Sequence, residues 1–237
     1  MIDIHSHILP QLDDGSRSVE ESIKMLGMLS KQGVDTVVAT PHFYINSIDI
    51  DEFFDKREKS AEILKKEIGN ISRPKIAIGA EVEFYPELYT LKRLDELCIG
   101  GSKYILLEMP FSRWNSYTFK GLENLYIYHG ITPVIAHIER YFAFHNIREF
   151  MDSLGRINVL NQMNFEFLIG RLSRNKGVSL IKKGQISFLG TDAHRIDDRS
   201  PNAQKGFSIL EKRLEKAEMQ NLLYWENKLT QYIKNFL

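Results

Sequence analysis

The stretch Met1-Ile2-Asp3-Ile4-His5-Ser6-His7, followed by Asp13-Asp14-Gly15, decides the reading of the chain. It is a short strand pattern ending in two histidines two residues apart. Successive side chains of a strand point to opposite faces, so His5 and His7 share one face and a single cation can take both. Taken alone, the pair is common on solvated strands. It gains weight because the same device recurs along the chain.

Outward from this start, strand and helix alternate. Ser18 and Glu21 form an S-x-x-E capping box, Val19, Ile23, Leu26 and Leu29 line one helical face, and Gly33 ends the helix. Residues 36–39 read as a buried strand closing on Thr40-Pro41-His42. A second helix carries Phe54, Ala61, Leu64 and Ile68 on one stripe, with Gly69-Asn70 as its stop. Strand 75–78 runs through Gly79-Ala80 into Glu81, and strand 104–107 delivers Glu108. A helix over 119–128, closed by Gly130, leads to the strand Thr132-Pro133-Val134-Ile135-Ala136 and His137. Residues 156–160 form a less regular strand, and 178–183 a short helix capped by Gly184. Strand 186–191 then delivers Asp192-Ala193-His194, and 202–237 reads as helix covering the outside or one end of the sheet.

About seven strands separated by helices imply a parallel α/β architecture, most simply a closed barrel with its helices outside. His5, His7, His42, Glu81, Glu108, His137, Asp192 and His194 all fall at or just beyond C-terminal strand ends, the face where such barrels carry their chemistry. Each has an ordinary reading by itself. His42 could be a loop histidine bonded to backbone, His137 a satisfied core histidine, and either glutamate a partner for surface lysine. Joint position sets them apart, because five of the seven histidines and three carboxylates share one rim. His129 and His145 lack that placement and are read as ordinary. Mixed imidazole and carboxylate donors suit Mn, Fe or Zn.

Composition limits what such a cluster belongs to. A chain of 237 residues, 43% hydrophobic and 11% aromatic, supports one domain over 1–237, with a helical extension from about 202. Lys+Arg (31) and Asp+Glu (31) cancel, leaving no bulk field for nucleic acid or an anionic membrane surface. The N-terminus lacks a basic and apolar leader, and no apolar run approaches the ~18 residues of a membrane span. Cys98 is the single cysteine and cannot form an internal disulfide. A soluble cytoplasmic protein is the expectation, and nothing fixes its oligomeric state.

The order His-x-His, strand-end Pro-His, Gly-Ala-Glu, strand-end Glu, Ala-His-Ile-Glu-Arg-Tyr and Asp-Ala-His resembles the PHP (polymerase and histidinol phosphatase) superfamily. Within it, residues 1–201 resemble the bacterial protein-tyrosine phosphatases encoded with capsule and exopolysaccharide genes. The resemblance implies a distorted seven-stranded β/α (TIM-like) barrel. It implies three divalent metal ions, Mn first with Fe, Zn or Mg as alternatives, held by His5, His7, Asp14, His42, Glu81, Glu108, His137, Asp192 and His194. Asp14 enters through the resemblance alone. With Glu108 it favours the tyrosine phosphatase branch, since other branches tend to carry histidine at these positions. Arg140 and Arg199 match the family's phosphate-binding arginines. The implied substrate is the tyrosine-rich tail of a bacterial tyrosine kinase that controls polysaccharide export.

The chemistry fits such donors. Clustered divalent cations lower the pKa of a bridging water toward neutrality, and a tyrosine leaving group with a pKa of about 10 needs little protonation. Cysteine chemistry does not fit, because it wants an arginine six positions after the nucleophile and Tyr104 stands there. Phe43, Tyr44, Phe111, Trp114, Tyr141 and Phe142 flank the rim and either shape a substrate pocket or pack its loops. Residues 43–49 and 162–170 do not follow the family pattern, and Arg-Ser-Pro stands at 199–201 where Arg-Pro-Pro is expected. Three other readings remain: a phosphoesterase for histidinol phosphate or nucleotide ends, an amidohydrolase barrel, and an inactive metal-bound scaffold that binds phosphotyrosine. The amidohydrolase reading lacks its strand-end lysine.

Overall fold

Short apolar strands separated by long amphipathic helices cannot be joined as hairpins, so they must pair in parallel. In the computed structural model, which describes residues 1–69, 74–233 and 237, every strand ladder is parallel. The strands are β1 (Ile2–Ser6), β2 (Thr36–Ala39), β3 (His42–Phe43), β4 (Lys75–Ile78), β5 (Glu81–Glu83), β6 (Tyr104–Glu108), β7 (Thr132–Ile135), β8 (Leu160–Asn164) and β9 (Phe188–Gly190). One ladder runs β1-β2-β4 and a second runs β3-β5-β6-β7-β8-β9. The fold is α/β, built on a curled parallel sheet.

Among the described residues nine segments stand where about seven strands were expected, because two strands are interrupted. Thr40-Pro41 separates β2 from β3, and Pro41 has no N–H for a ladder. Gly79-Ala80 separates β4 from β5. Hydrogen bonds cross both gaps, from Gly79 N–H to Ala39 O (2.9 Å) and from Glu81 N–H to Pro41 O (3.0 Å). Beyond β9, Asp192 N–H donates to His5 O and His7 N–H to Ala193 O, each at 2.8 Å.

The two-residue period of the strands sorts the core into two clusters. Ile2, Ile4, Val38, Ala77, Leu106, Val134, Ala136, Leu160 and Phe188 fill the concave side of the sheet. Val37, Ile76, Ile105, Leu107, Ile135, Met163 and Leu189 belong to the other cluster, packed under the helices. Continuing the inner period carries Leu106 to Glu108, Ala77 to Glu81, Val38 to His42 and Phe188 to Asp192. In β1 the pairing register shifts between Asp3 and Ser6.

Helix α1 (Val19–Lys31) starts at Ser18, whose hydroxyl accepts from Glu21 N–H. The expected box is half made, since the Glu21 carboxylate accepts instead from Arg17 N–H and Ile196 N–H. Helices α2 (Ile50–Ile68) and α3 (Ser116–His129) follow, the latter closed by Gly130 at φ 64°. Asn70, part of the expected stop of α2, lies outside the described residues. After α4 (Ile147–Leu154) and α5 (Phe165–Ile169), α6 (Arg174–Lys182) begins four residues before the expected start at Val178. The strand expected over 156–160 is corrected to Leu160–Asn164. Its buried polar run Asn161-Gln162-Met163-Asn164 hides the strand signal, because β-propensity and apolar alternation both favour the earlier residues.

Helices α7 (Ala203–Arg213) and α8 (Lys216–Tyr232) form the expected helical C-terminus; residues 234–236 lie outside the described set. Leu229 of α8, with Ile233 beyond it, packs into the inner cluster and closes the end opposite the ligand rim. Glu226 accepts from Ile2 N–H at 3.3 Å, and burial lifts its carboxyl from 4.5 to about 7.

Leu229 is fully buried, so Leu229→Ala should cost about 2–5 kcal/mol in denaturant unfolding. The raised Glu226 carboxyl binds its proton more tightly folded than unfolded, so its contribution is complete below about pH 4.5 and lost as pH rises through about 7. Glu226→Gln should therefore narrow the difference in melting temperature between pH 5 and pH 8.

Candidate metal centre

The strands and the loops beside them bring all nine proposed ligands into one cluster. Glu81 lies at its middle, 1% exposed at the start of β5. Its Oε2 is 3.0 Å from His5 Nε2, 3.3 Å from His7 Nε2 and 3.3 Å from His42 Nδ1. Its Oε1 is 2.9 Å from His137 Nε2, which stands 3.6 Å from Glu108 Oε1. Asp192 Oδ1 lies 3.3 Å from His5 Nε2 and 3.5 Å from His7 Nε2. Asp14 Oδ1 lies 3.4 Å from His194 Nε2 and 3.6 Å from His42 Nε2.

The donor atoms of eight of them fall into three overlapping groups: His7, Asp14, His42 and His194; His5, His7, Glu81 and Asp192; and His42, Glu81 and Glu108; His137 stands outside these groups and adjoins them through Glu81 and Glu108. The donor chemistry fits divalent cations. Three histidines are fixed through Nδ1, by Gln162 Oε1 for His5 (3.2 Å), Asp13 Oδ2 for His7 (2.7 Å) and Asp192 O for His194 (2.9 Å). Each Nδ1 donates to an oxygen, which leaves Nε2 to offer a lone pair to the cluster. Asp192 Oδ1 is buried among them without a hydrogen bond, an expensive state for a carboxylate that a cation would relieve.

The electrostatics agree. Burial disfavours charge on His5 and His7, but the carboxylates of Glu81 and Asp192 beside His5, and of Asp13 beside His7, reverse this and lift both imidazoles above their ordinary value. Burial would raise Glu81 and Asp192, yet His5 and its neighbours hold both well below the carboxylate range. Burial, then the charge of Glu81, pushes Glu108 up to about 7. His194 is brought down to about 4 by burial and by His7 and Arg199. Burial lowers His42 and His137 as well, so protons are drawn to His5 and His7, where metal cations would compete with them.

Both proposed phosphate-binding arginines reach the same atom. Arg140 and Arg199 each place a guanidinium nitrogen 2.5 Å from Asp192 Oδ2, and each is about one-third exposed, at 36% and 34%. Arg199 also donates to His194 Nε2 at 2.7 Å. Backbone strain sets these residues: His137, Asp192 and Arg199 have φ of 33°, 51° and 50°, a left-handed region costly for side chains other than glycine. At His137 it ends β7 abruptly and starts the 3-10 turn Ile138–Ala143 that carries Arg140.

Sequence reasoning missed the residues that hold the ligands. Gln162 Oε1 accepts from His5 Nδ1 and also from His137 N–H at 2.7 Å. Its amide donates to Asn164 Oδ1, whose own amide donates to Asp192 Oδ2. Asp13 was visible beside Asp14, but nothing in the pair showed that Asp13 grips His7 and the His42 N–H while Asp14 faces the donor cluster. Glycines admit the close approaches: a Cβ on Gly15 would lie 2.3 Å from His7 O, and one on Gly190 2.7 Å from His5 Cβ. Of the flanking aromatics, Tyr44, Phe111 and Tyr141 adjoin the centre, whereas Phe43 packs tilted against Phe53, and Phe142 and Trp114 pack edge-on against Phe167 and Phe150. His129 binds Tyr89 O and His145 stacks on Phe150, as their ordinary reading expects. Cys98 is buried and its thiol is pushed up to about 12 by desolvation, which disqualifies it as a nucleophile.

A curled parallel sheet whose strand ends converge on buried imidazoles and carboxylates defines a metallohydrolase-type centre. More narrowly, the chain belongs to the CpsB/CapC family, described as capsular polysaccharide synthesis, whose model matches residues 1–230. It is 33% identical over 228 residues to the tyrosine-protein phosphatase CpsB of Streptococcus pneumoniae, covering 90% of each chain. It is 31% identical over 216 residues to the tyrosine-protein phosphatase YwqE of Bacillus subtilis, covering 90% of this chain and 84% of the relative. Among solved structures it matches the crystal structures of YwqE and CpsB, described as unique metal-dependent tyrosine phosphatases, with a TM-score of 0.82 and 28% identity over 95% of this chain and 93% of the other.

Replacing Gln162 with Leu should lower divalent metal affinity by about 10–100-fold, the usual effect of losing an outer hydrogen-bond partner of a ligand. Calorimetric titration of the metal-free variant with Mn checks this, with circular dichroism to show that the fold is kept.

Proposed function

We propose that this chain is a metal-dependent phosphomonoesterase acting on protein phosphotyrosine. The observation that carries it is the convergence of His5, His7, Asp14, His42, Glu81, Glu108, His137, Asp192 and His194 beside two arginines that share Asp192. The three donor groups support three ions, and their mix of imidazole and carboxylate supports Mn, with Fe, Zn or Mg as alternatives. When bound, such ions supply an acidified water and positive charge for phosphoryl oxygens.

The chain's own residues do the rest. Arg140 and Arg199 donate to the phosphate oxygens from the open side of the centre, and Asp192 holds both guanidiniums in place for this. Asp13, Gln162 and the backbone carbonyl of Asp192 fix the imidazoles, so little reorganisation is left for the reaction itself. The Tyr44 hydroxyl donates to Glu108 at 3.2 Å and orients that carboxylate.

We read the sheet as a distorted seven-stranded barrel, supported by the interrupted pairs β2/β3 and β4/β5 and by the Ser6–Ala193 bridge beside β9. Residues 1–237 make one domain whose helical extension begins at about 202, supported by α8 packing into the inner cluster. The protein works in the cytoplasm on a tyrosine-phosphorylated partner, a bacterial tyrosine kinase tail that controls capsule or exopolysaccharide synthesis. The capsular description of the family supports that partner, and no helix among the described residues is long and apolar enough to cross a membrane.

Metal-stripped protein should not hydrolyse a phosphotyrosine peptide, and Mn, Fe, Zn or Mg should restore turnover. Arg140→Ala should lower kcat/KM by about 100-fold or more while metal content holds. Absence of phosphotyrosine turnover with every metal overturns the proposal, and faster turnover of histidinol phosphate or an oligonucleotide end redirects it.

A further inference from the structure

Against the metal rim lies a cavity of about 320 Å³ with two kinds of wall. Asp14, His42 and Tyr44 line it on the side of the donor cluster, and Leu12, Ile48 and Phe53 contribute apolar wall. Tyr44 stacks its ring on His42 with centroids 5.0 Å apart, while its hydroxyl is engaged by Glu108. The N–H groups of Ser47 and Ile48 both donate to Tyr44 O, a turn that brings Ile48 back beside Tyr44. Asp49 then caps α2, whose first turn supplies Phe53. Lys56, also in the lining, is paired with Glu52 at 2.8 Å and offers no free cation to compete with the arginines for a phosphate.

We infer that this cavity receives the aryl ring of the phosphotyrosine whose phosphate is held at Arg140 and Arg199. The inference rests on the phosphatase reading and deepens it. Arg199 contacts His194 at 2.7 Å, His194 contacts Asp14 at 3.4 Å, and Asp14 is cavity wall, so phosphate and ring positions adjoin across one imidazole. A concave apolar wall of this size suits a phenyl group, and an alkyl phosphate would leave it unfilled. Selectivity for aryl over alkyl esters then resides in Leu12, Ile48 and Phe53, none of them among the proposed ligands. The competing surface is Phe111, 51% exposed and stacked on His137, which offers a single open face.

The test compares metal-loaded wild type, Ile48→Trp and Phe111→Ala. Ile48→Trp fills the cavity and should weaken phosphotyrosine, as KM in turnover and as Kd in calorimetry, by about tenfold, the scale of lost ring burial. Inhibition by inorganic phosphate, KM for glycerol phosphate, metal content and melting temperature should stay near wild type, and Phe111→Ala should change phosphotyrosine affinity less than twofold. Unchanged phosphotyrosine affinity in Ile48→Trp, or equal loss for phosphotyrosine and inorganic phosphate, overturns the inference. A tenfold loss confined to Phe111→Ala places the ring there instead. Failure of the wild type to hydrolyse any phosphomonoester strikes the phosphatase reading, and the calorimetric comparison still decides the cavity.

Discussion

A carboxylate buried to 1% exposure must be compensated, and Glu81 is compensated by four histidines brought from three different places in the chain. In a low-dielectric interior an uncompensated carboxylate is costly. Its surroundings therefore fix where β1, β3, β5 and β7 must end relative to one another. The same arrangement leaves more lone pairs than protons at the centre, with Asp192 Oδ1 buried and unbonded. Structural tolerance of such a cluster and affinity for cations are one property seen twice.

The polar strand β8 shows how that centre is held. It contributes no ligand to the three donor groups, yet Gln162 ties together His5 and His137, and Asn164 reaches Asp192. A buried amide network of this kind is stabilising only when its members are satisfied, and here the Gln162 and Asn164 side chains are paired in series. Positive φ at His137, Asp192 and Arg199 adds strain at the same rim. Stability comes from the other end, where α8 seals the inner apolar cluster with Leu229. The molecule thus separates a rim tolerant of strain and polar burial from a largely apolar floor, where Glu226 places a partly buried carboxyl.

Much of this centre is legible in the chain itself. His5-x-His7, Pro41-His42, Ala80-Glu81 and Asp192-Ala193-His194 follow directly on short apolar strand runs, and that pattern is local. The ligand candidates, the alternating parallel architecture and α1, α2 and α3 within a few residues follow from local periodicity and from the resemblance it exposed. Asp14 needed the resemblance, since it lies on a loop with no strand to aim it.

Tertiary structure alone decided the rest. Residues 160–164 lack the apolar alternation that marks a strand, because Gln162 and Asn164 face polar groups inside the sheet, and the positions of His5, His137 and Asp192 make their burial tolerable. Phe43, Trp114 and Phe142 look like pocket residues in sequence and pack elsewhere, while Tyr44 turns toward Glu108. Sequence by itself determined which residue types gather at the strand ends, because strand period is a local property. Which atoms meet, which carboxylate grips a ring and which faces the donor cluster, depends on contacts between residues distant along the chain, and no local pattern encodes those.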